Sequence, residues 1–227
     1  MSTDLLYPDG RIMVFCKAPE PGRVKTRLAA SIGDAAAATV HEYLAWHCLN
    51  RLARAAIAPV ELWCTPDVGH DFFRRCAAEY GLVLKQQTGE CLGQRMEQAF
   101  SNALSQSRNA VVVGTDCPTL DTAYIRAAFA ALEQQDAVLG PAEDGGYVLL
   151  GLRKPQPPLF ADMPWGTSKV LAKTRSRLTG KVKELSTLWD IDDVDDLRRL
   201  RDSADELALE RGFSEYLVKL IGRKPIL

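Results

Sequence analysis

Short apolar runs alternate with longer stretches of helical spacing through the first 140 residues. Arg11–Cys16 is an apolar run that ends before Pro19, Pro21 and Gly22, which predicts a buried strand and then a loop. From Asp34 to Ala58, Val40, Leu44, Cys48, Leu49 and Leu52 recur at helical spacing, with Asp34 as N-cap and Pro59 past the end. Val60–Thr65 predicts a second strand, Phe72–Tyr80 a helix closed by Gly81, and Leu82–Gln86 a third strand. Gly93–Ser105 predicts the next helix, and Ala110–Val113, apolar without interruption, a central strand buried on both faces. Thr122–Gln134 predicts a helix, capped by Thr119 or Asp121, and Ala137–Gly140 and Gly146–Leu152 predict strands.

This alternation is the mark of βαβ units and a mostly parallel sheet. Past Gly151 the regularity fails. Arg153–Pro158 is a Pro-rich break, Ser168–Leu178 predicts a helix capped by Thr167 or Ser168, Val182–Leu188 an added strand, and Asp193–Arg201 and Ala204–Ile221 closing helices. The expectation is one domain over residues 1–227, with a nucleotide-binding half at 11–140 and an acceptor-side half at 141–227.

Composition narrows the function classes. The chain has 227 residues, 47% hydrophobic and 25% charged, with a net charge of −1. That suits one well-packed domain and provides no bulk basic field for nucleic acid. None of the six cysteines forms a C-x-x-C pair, and several sit inside apolar runs, so they read as small buried hydrophobes. No run approaches the ~20 apolar residues of a membrane span, and the first ten residues are not those of a signal peptide. A cytoplasmic protein without nucleic-acid or membrane partners is expected.

Four constellations carry candidate chemistry. Directly after the first strand, residues 17–28 hold Lys17, Arg23, Lys25 and Arg27 together with Gly22. Ligands of open α/β sheets bind beyond the carboxyl ends of the strands, so this loop can cradle a diphosphate, or else is a solvated basic surface. It is not a P-loop, since Val24 precedes Lys25-Thr26 where glycine is needed, and no G-x-G-x-x-G occurs. At the end of the most apolar strand stands Gly114-Thr115-Asp116-Cys117-Pro118, with Asp116 placed to bridge a hard cation to phosphate. Glu143-Asp144-Gly145-Gly146-Tyr147 reads as a Gly-rich hairpin that aims Asp144 at the same mouth. In Trp189-Asp190-Ile191-Asp192-Asp193, alternation sends Asp190 and Asp192 to one side and Ile191 to the core. Asp193, Asp195 and Asp196 then suit the first turn of a helix. Trp165 either lines an acceptor pocket or packs. His41, His47 and His70 have no partner motif.

As an ordered set, these motifs resemble a bacterial family. The set is Phe15-x-Lys17-x-Pro19-x-Pro21-Gly22-x-Val24-Lys25-Thr26-Arg27-Leu28, Leu92-Gly93-x-Arg95-Met96, Gly114-Thr115-Asp116-Cys117-Pro118, Asp144-Gly145-Gly146-Tyr147, Met163-Pro164-Trp165-Gly166-Thr167-Ser168 and Asp190-Ile191-Asp192. It is similar to the domain-of-unknown-function 2064 (DUF2064) glycosyltransferases, relatives of the nucleotide-diphospho-sugar transferases. The resemblance spans about residues 11–200.

It implies a GT-A-like α/β fold, a mixed, mostly parallel sheet with helices on both faces. It implies a nucleotide site made by Lys17, Pro19, Gly22, Lys25, Arg27, Gly93, Arg95 and Thr115, with Lys25 and Arg27 on phosphates. It further implies Mg²⁺ or Mn²⁺ on Asp116 and Asp192, catalytic roles for Lys25, Asp116 and Asp144, and an acceptor site at Gly145, Gly146 and Trp165. Asp144 or Glu143 would deprotonate the acceptor. The reaction implied is sugar transfer from a nucleotide diphosphate to a small acceptor. A nucleotidyltransferase condensing an NTP with a phosphorylated small molecule is the alternative, because the phospholactate guanylyltransferases share several of these elements. Their late motif has Thr-Pro where this chain has Asp193-Val194. An inactive nucleotide-binding protein is the third reading.

Overall fold

The computed structural model describes residues 4–222. Seven strands form one sheet in the order β3-β2-β1-β4-β6-β5-β7, where β1 is Gly10–Lys17, β2 Val60–Thr65, β3 Val83–Gln86, β4 Asn109–Val113, β5 Ala137–Pro141, β6 Tyr147–Leu152 and β7 Val182–Glu184. β1 pairs in parallel with β2 and β4, β2 with β3, and β5 with β7. Only β6 runs antiparallel, between β4 and β5. The sheet is thus mixed and mostly parallel. β4 is buried at all five positions, which its unbroken apolar run demands once helices cover both faces.

Among the described residues eight α-helices surround the sheet: α1 (Thr26–Ile32), α2 (Asp34–Arg54), α3 (Asp71–Tyr80), α4 (Leu92–Leu104), α5 (Thr122–Leu132), α6 (Val170–Arg177), α7 (Val194–Asp202) and α8 (Arg211–Ile221). One core lies between the sheet and α2, α3 and α5, where Leu49, Phe72, Phe73 and Phe129 are buried. A second lies under α4 on the opposite face, built on Met13, Phe100, Leu139 and Leu150. A third, smaller core joins α1 and α2 to the C-terminal helices through Leu28, Leu44, Ile191, Leu197 and Phe213. The C-terminal helices therefore complete the same body.

The structure departs from the sequence expectations in several places, one being α2, where Gly33 and not Asp34 stands at the N-cap and Asp34 is the first helical residue. α1 replaces part of the expected loop; with Leu28 as its single buried residue it has no apolar periodicity to reveal it. The strand expected over Val182–Leu188 ends at Glu184, and beyond it only Leu188 makes a bridge, to Ala142. The expected helix over Ala204–Ile221 begins at Arg211. α6 has neither Thr167 nor Ser168 as N-cap; Lys169 stands there without a side-chain cap. The caps of α5 and α7 follow side-chain chemistry. Asp121 accepts from the Tyr124 amide at 2.7 Å, and Asp193 and Asp196 form a reciprocal capping box on α7.

Candidate active site

The site is assembled at the carboxyl ends of β1, β4 and β5. At the end of β5 the register shifts between Gly140 and Pro141, and the hairpin turns through Asp144 and Gly145. Gly145 has φ +85°, and a Cβ there would lie 2.4 Å from the Ser168 carbonyl oxygen, so glycine is required. The Gly146 amide donates to Asp144 Oδ1 at 2.7 Å, which fixes that carboxylate at the turn.

Residues 188–192 run alongside. The Leu188 amide donates to the Pro141 carbonyl, the Glu143 amide to the Leu188 carbonyl and the Ile191 amide to the Asp116 carbonyl, at 3.0–3.1 Å. This stitching carries Asp190 and Asp192 past both the β5 hairpin and the end of β4. The expected alternation is present, with Ile191 fully buried, although the segment is not a strand. One carboxylate oxygen from each of Asp144, Asp190 and Asp192 lies within 4.8 Å of the others. Burial, followed by the like charges of Asp144 and Asp192, pushes the Asp190 carboxyl up to about 6. Asp192 is raised by burial and by the other acids, against Lys25 and Arg27, which lower it. Three hard oxygen donors in mutual repulsion fit a divalent cation such as Mg²⁺ or Mn²⁺.

Asp116, expected to share that ion with Asp192, stands outside the cluster. Its Oδ2 pairs with Lys25 Nζ at 2.9 Å, and its Oδ1 faces His41 Nδ1 at 3.4 Å. Burial opposes ionisation there, but the Lys25 ammonium and the His41 ring outweigh it and hold the carboxyl far below the usual range. It is close enough to the triad to raise both Asp190 and Asp192. Lys25 has a left-handed backbone (φ 49°) just before α1; its side chain is only 3% exposed and its ammonium also donates to the Ile191 carbonyl. The resemblance gave Lys25 a phosphate contact, whereas this ammonium is already committed to Asp116 and the acidic segment. Arg27 remains exposed, pairing with Asp192 at 2.9 Å and donating to the Gly166 carbonyl at 3.4 Å.

The remaining expected residues separate into two clefts. One, of about 460 Å³, brings Lys17, Gly22, Arg23 and Arg95 together with Thr65 at the end of β2. Pro19 is half-buried in the same loop. The Arg95 guanidinium donates to the Gly89 carbonyl at 2.9 Å and contacts the Thr65 hydroxyl at 3.4 Å. The other cleft, of about 270 Å³, lies between β4, β6 and α4, with Asp144, Gly146, Tyr147, Trp165 and Asp190 among its walls. Gly145 is the turn residue behind it.

Two expected nucleotide contacts face elsewhere. Thr115 is buried beside Cys16. Gly93 is the packing point of α4, where a Cβ would meet the Phe160 carbonyl oxygen at 2.6 Å and Trp165 Nε1 at 3.0 Å. Glu143, expected as a base candidate, forms a two-pronged pair with Arg199 at 2.7 and 3.2 Å. Arg199 in turn lies 4.2 Å over the Trp189 ring, so Glu143 clamps α7 to the hairpin.

His41 was not anticipated as part of the site. It sits on α2, buried, with Nε2 3.0 Å from the Lys17 carbonyl oxygen and Nδ1 towards Asp116. A histidine in an Ala-rich helix, without a partner motif, carries no local signal of that position.

Comparison with known proteins agrees with this architecture. Among solved structures, a protein of Desulfovibrio desulfuricans G20 named "putative nucleotide-diphospho-sugar transferase" is 30% identical, with TM-score 0.83 over 93% of this chain and 94% of that one. A cytidylyltransferase from Leptospira borgpetersenii is similar in fold at 14% identity, with TM-score 0.58 over 97% and 100% of the two chains. So is Rv0371C of Mycobacterium tuberculosis H37Rv, solved in complex with manganese, at 16% identity and TM-score 0.55 over 86% and 98%. No curated protein matches the chain. Among the described residues no helix is long and apolar enough to cross a membrane. The profile of DUF2064, described as an uncharacterized protein conserved in bacteria, matches residues 48–167, and the chain belongs to that family.

Proposed function

We propose that this chain is a nucleotide-utilising transferase that moves a sugar from a nucleotide diphosphate to a small acceptor, with Mg²⁺ or Mn²⁺. The observation that carries the reading is the cluster of Asp144, Asp190 and Asp192, set where a cation-lined cleft and an apolar-walled cleft approach the ends of β1 and β4. The fold shared with the Desulfovibrio protein and the manganese complex of Rv0371C support it.

Asp190 and Asp192 would hold the ion. When bound, it neutralises charge on the departing diphosphate. Lys17, Arg23 and Arg95 meet that diphosphate in the cationic cleft and stabilise the charge it gains. Asp116 is assigned to fixing Lys25, whose second bond to the Ile191 carbonyl holds the Asp190–Asp192 segment in position. The acceptor hydroxyl oxygen bonds to the anomeric carbon of the sugar. The bond from that carbon to the diphosphate oxygen breaks, and its electron pair leaves with the diphosphate. Asp144 takes the hydroxyl proton on the carboxylate oxygen not bound to the Gly146 amide.

A thermal-shift and calorimetric screen of UDP, GDP, ADP, CDP and dTDP sugars with Mn²⁺ tests the donor class. Selective stabilisation that EDTA abolishes is expected. Pyrophosphate release from an NTP and a phosphorylated acceptor, without turnover of any nucleotide sugar, would overturn sugar transfer in favour of nucleotidyl transfer.

A further inference from the structure

We infer that the acceptor of this transferase is an unphosphorylated alcohol with an apolar face, selected by Trp165 and by a 270 Å³ cleft that no cationic side chain lines among the described residues. The inference rests on the proposed transfer reaction for the word acceptor, but the cleft's chemistry stands by itself. Phe15, Met96, Tyr147 and Trp165 supply apolar walls, and the only charged side chains lining the cleft are Asp144 and Asp190. No lysine, arginine or histidine lines it among the described residues.

The walls are fixed by their own packing. Tyr147 and Trp165 meet edge to face at 6.4 Å, and the Tyr147 hydroxyl is spent on Met96 Sδ at 3.6 Å. Trp165 is seated on Gly93, where any side chain would strike it. A flat or aliphatic face of a ligand is what such walls bury well.

Charge selects against phosphate. A phosphoryl group here would face two carboxylates with no cationic side chain to compensate, and the ion proposed on Asp190 and Asp192 is taken up by the donor diphosphate. The nearest cations are committed elsewhere: Arg27 touches the rim at the Gly166 carbonyl but is paired with Asp192, and Lys25 is buried against Asp116. Lys17, Arg23 and Arg95 line the other cleft, with Glu20 3.6 Å from Arg23. A hydroxyl, in contrast, can donate to Asp144 or Asp190. Phosphate recognition and acceptor recognition are thereby separated between the clefts.

The test is a matched pair of probes, phenethyl alcohol and phenethyl phosphate, titrated against the full chain in EDTA, so that no ion bridges the ester to Asp190, and read by saturation-transfer NMR. The alcohol is expected to bind, with the phosphate ester weaker by about tenfold or more. Trp165→Ala is expected to abolish the alcohol signal. Thr167→Arg, which sets a cation on the exposed cleft wall, is expected to raise affinity for the phosphate ester and leave that for the alcohol near wild type. The inference is overturned if the ester binds as tightly as the alcohol, if neither binds, or if Thr167→Arg leaves the preference unchanged. Nucleoside-diphosphate binding with Mn²⁺, measured in parallel, reports on the transferase reading separately. Its loss alongside intact alcohol preference would sink that reading and leave the cleft's selectivity standing.

Discussion

Lys25 and Asp116 form a 2.9 Å ion pair in which the lysine side chain is 3% exposed and the aspartate 43% exposed. The lysine is thus cut off from water, while the aspartate keeps a wet edge. The pair links the loop after β1 to the end of β4, and Lys25's further bond to Ile191 ties in the acidic segment. Its function is to hold three chain segments in register at the mouth of the sheet.

Lys25→Met is therefore expected to destabilise the fold by about 2–3 kcal/mol, below the cost of breaking a fully buried pair because Asp116 is partly hydrated. Urea denaturation measures it. Lys25→Arg is not expected to rescue, because a planar guanidinium does not fit a site built for a compact ammonium. The pH dependence follows from the depressed Asp116 carboxyl. A lowered folded pKa contributes stability that is complete above the ordinary carboxylate range and is lost as acid takes the pH below it. The wild type should lose more stability than Lys25→Met on acidification below about pH 4.

Asp190 has the opposite sign. Its folded pKa is raised to about 6, so between the ordinary carboxylate value and 6 the folded state binds more protons than the unfolded chain. Ion-free protein in EDTA should gain stability from this group as pH falls through 6 and lose it as pH rises. His47, lowered to about 4 by burial and Arg51, acts against it in the same window. Melting temperatures of Asp190→Asn and wild type must therefore be compared across pH 4–7, where their difference isolates Asp190. A difference that does not vary with pH would remove the repulsive triad from the account.

The same triad predicts proton–metal competition. Mn²⁺ affinity, measured by calorimetry without nucleotide, should rise across pH 5–7 as Asp190 ionises. Asp192→Asn is expected to weaken it by about tenfold or more, whereas Asp116→Asn should cost stability before it costs metal affinity. Equal loss in both variants would restore Asp116 to the ligand set.

Much of this was legible in the chain. The unbroken run of β4 and the alternation around it give the central sheet, and Asp190-Ile191-Asp192 declares two acids flanking a core residue. Cap chemistry at Asp121 and Asp193 is equally local. What stayed hidden depends on approach between distant segments. Asp144 and Asp190 meet because residues 188–191 bond to 116 and to the β5 hairpin, and no local pattern encodes that. His41 reaches Asp116 from a helix whose apolar spacing signals only packing. Lys25 reads as one more loop cation until its backbone turns left-handed and buries it. Gly93 reads as a ligand-approach glycine, yet what approaches it is Trp165.

That last contact gives the final prediction. α4 passes beneath residues 160 and 165 only because position 93 has no side chain; an added methyl would lie 2.6 Å from a backbone oxygen, which cannot rotate away, and 3.0 Å from the indole nitrogen. Gly93→Ala removes a helix-weakening glycine, a gain of up to about 1 kcal/mol in a free helix. Overpacking at a rigid carbonyl costs about 1–3 kcal/mol, so the net change is destabilising. Relief must come from the 160–165 segment, which carries Trp165 out of the apolar cleft. The variant should therefore fold with a lowered melting temperature and bind phenethyl alcohol poorly, while its metal affinity stays near wild type, since Asp144, Asp190 and Asp192 are held by other bonds. Calorimetry with Mn²⁺ beside saturation-transfer NMR with the alcohol separates the two effects, and a Gly93→Ala protein as stable as wild type would mean that the helix and the Trp165 loop do not touch as described.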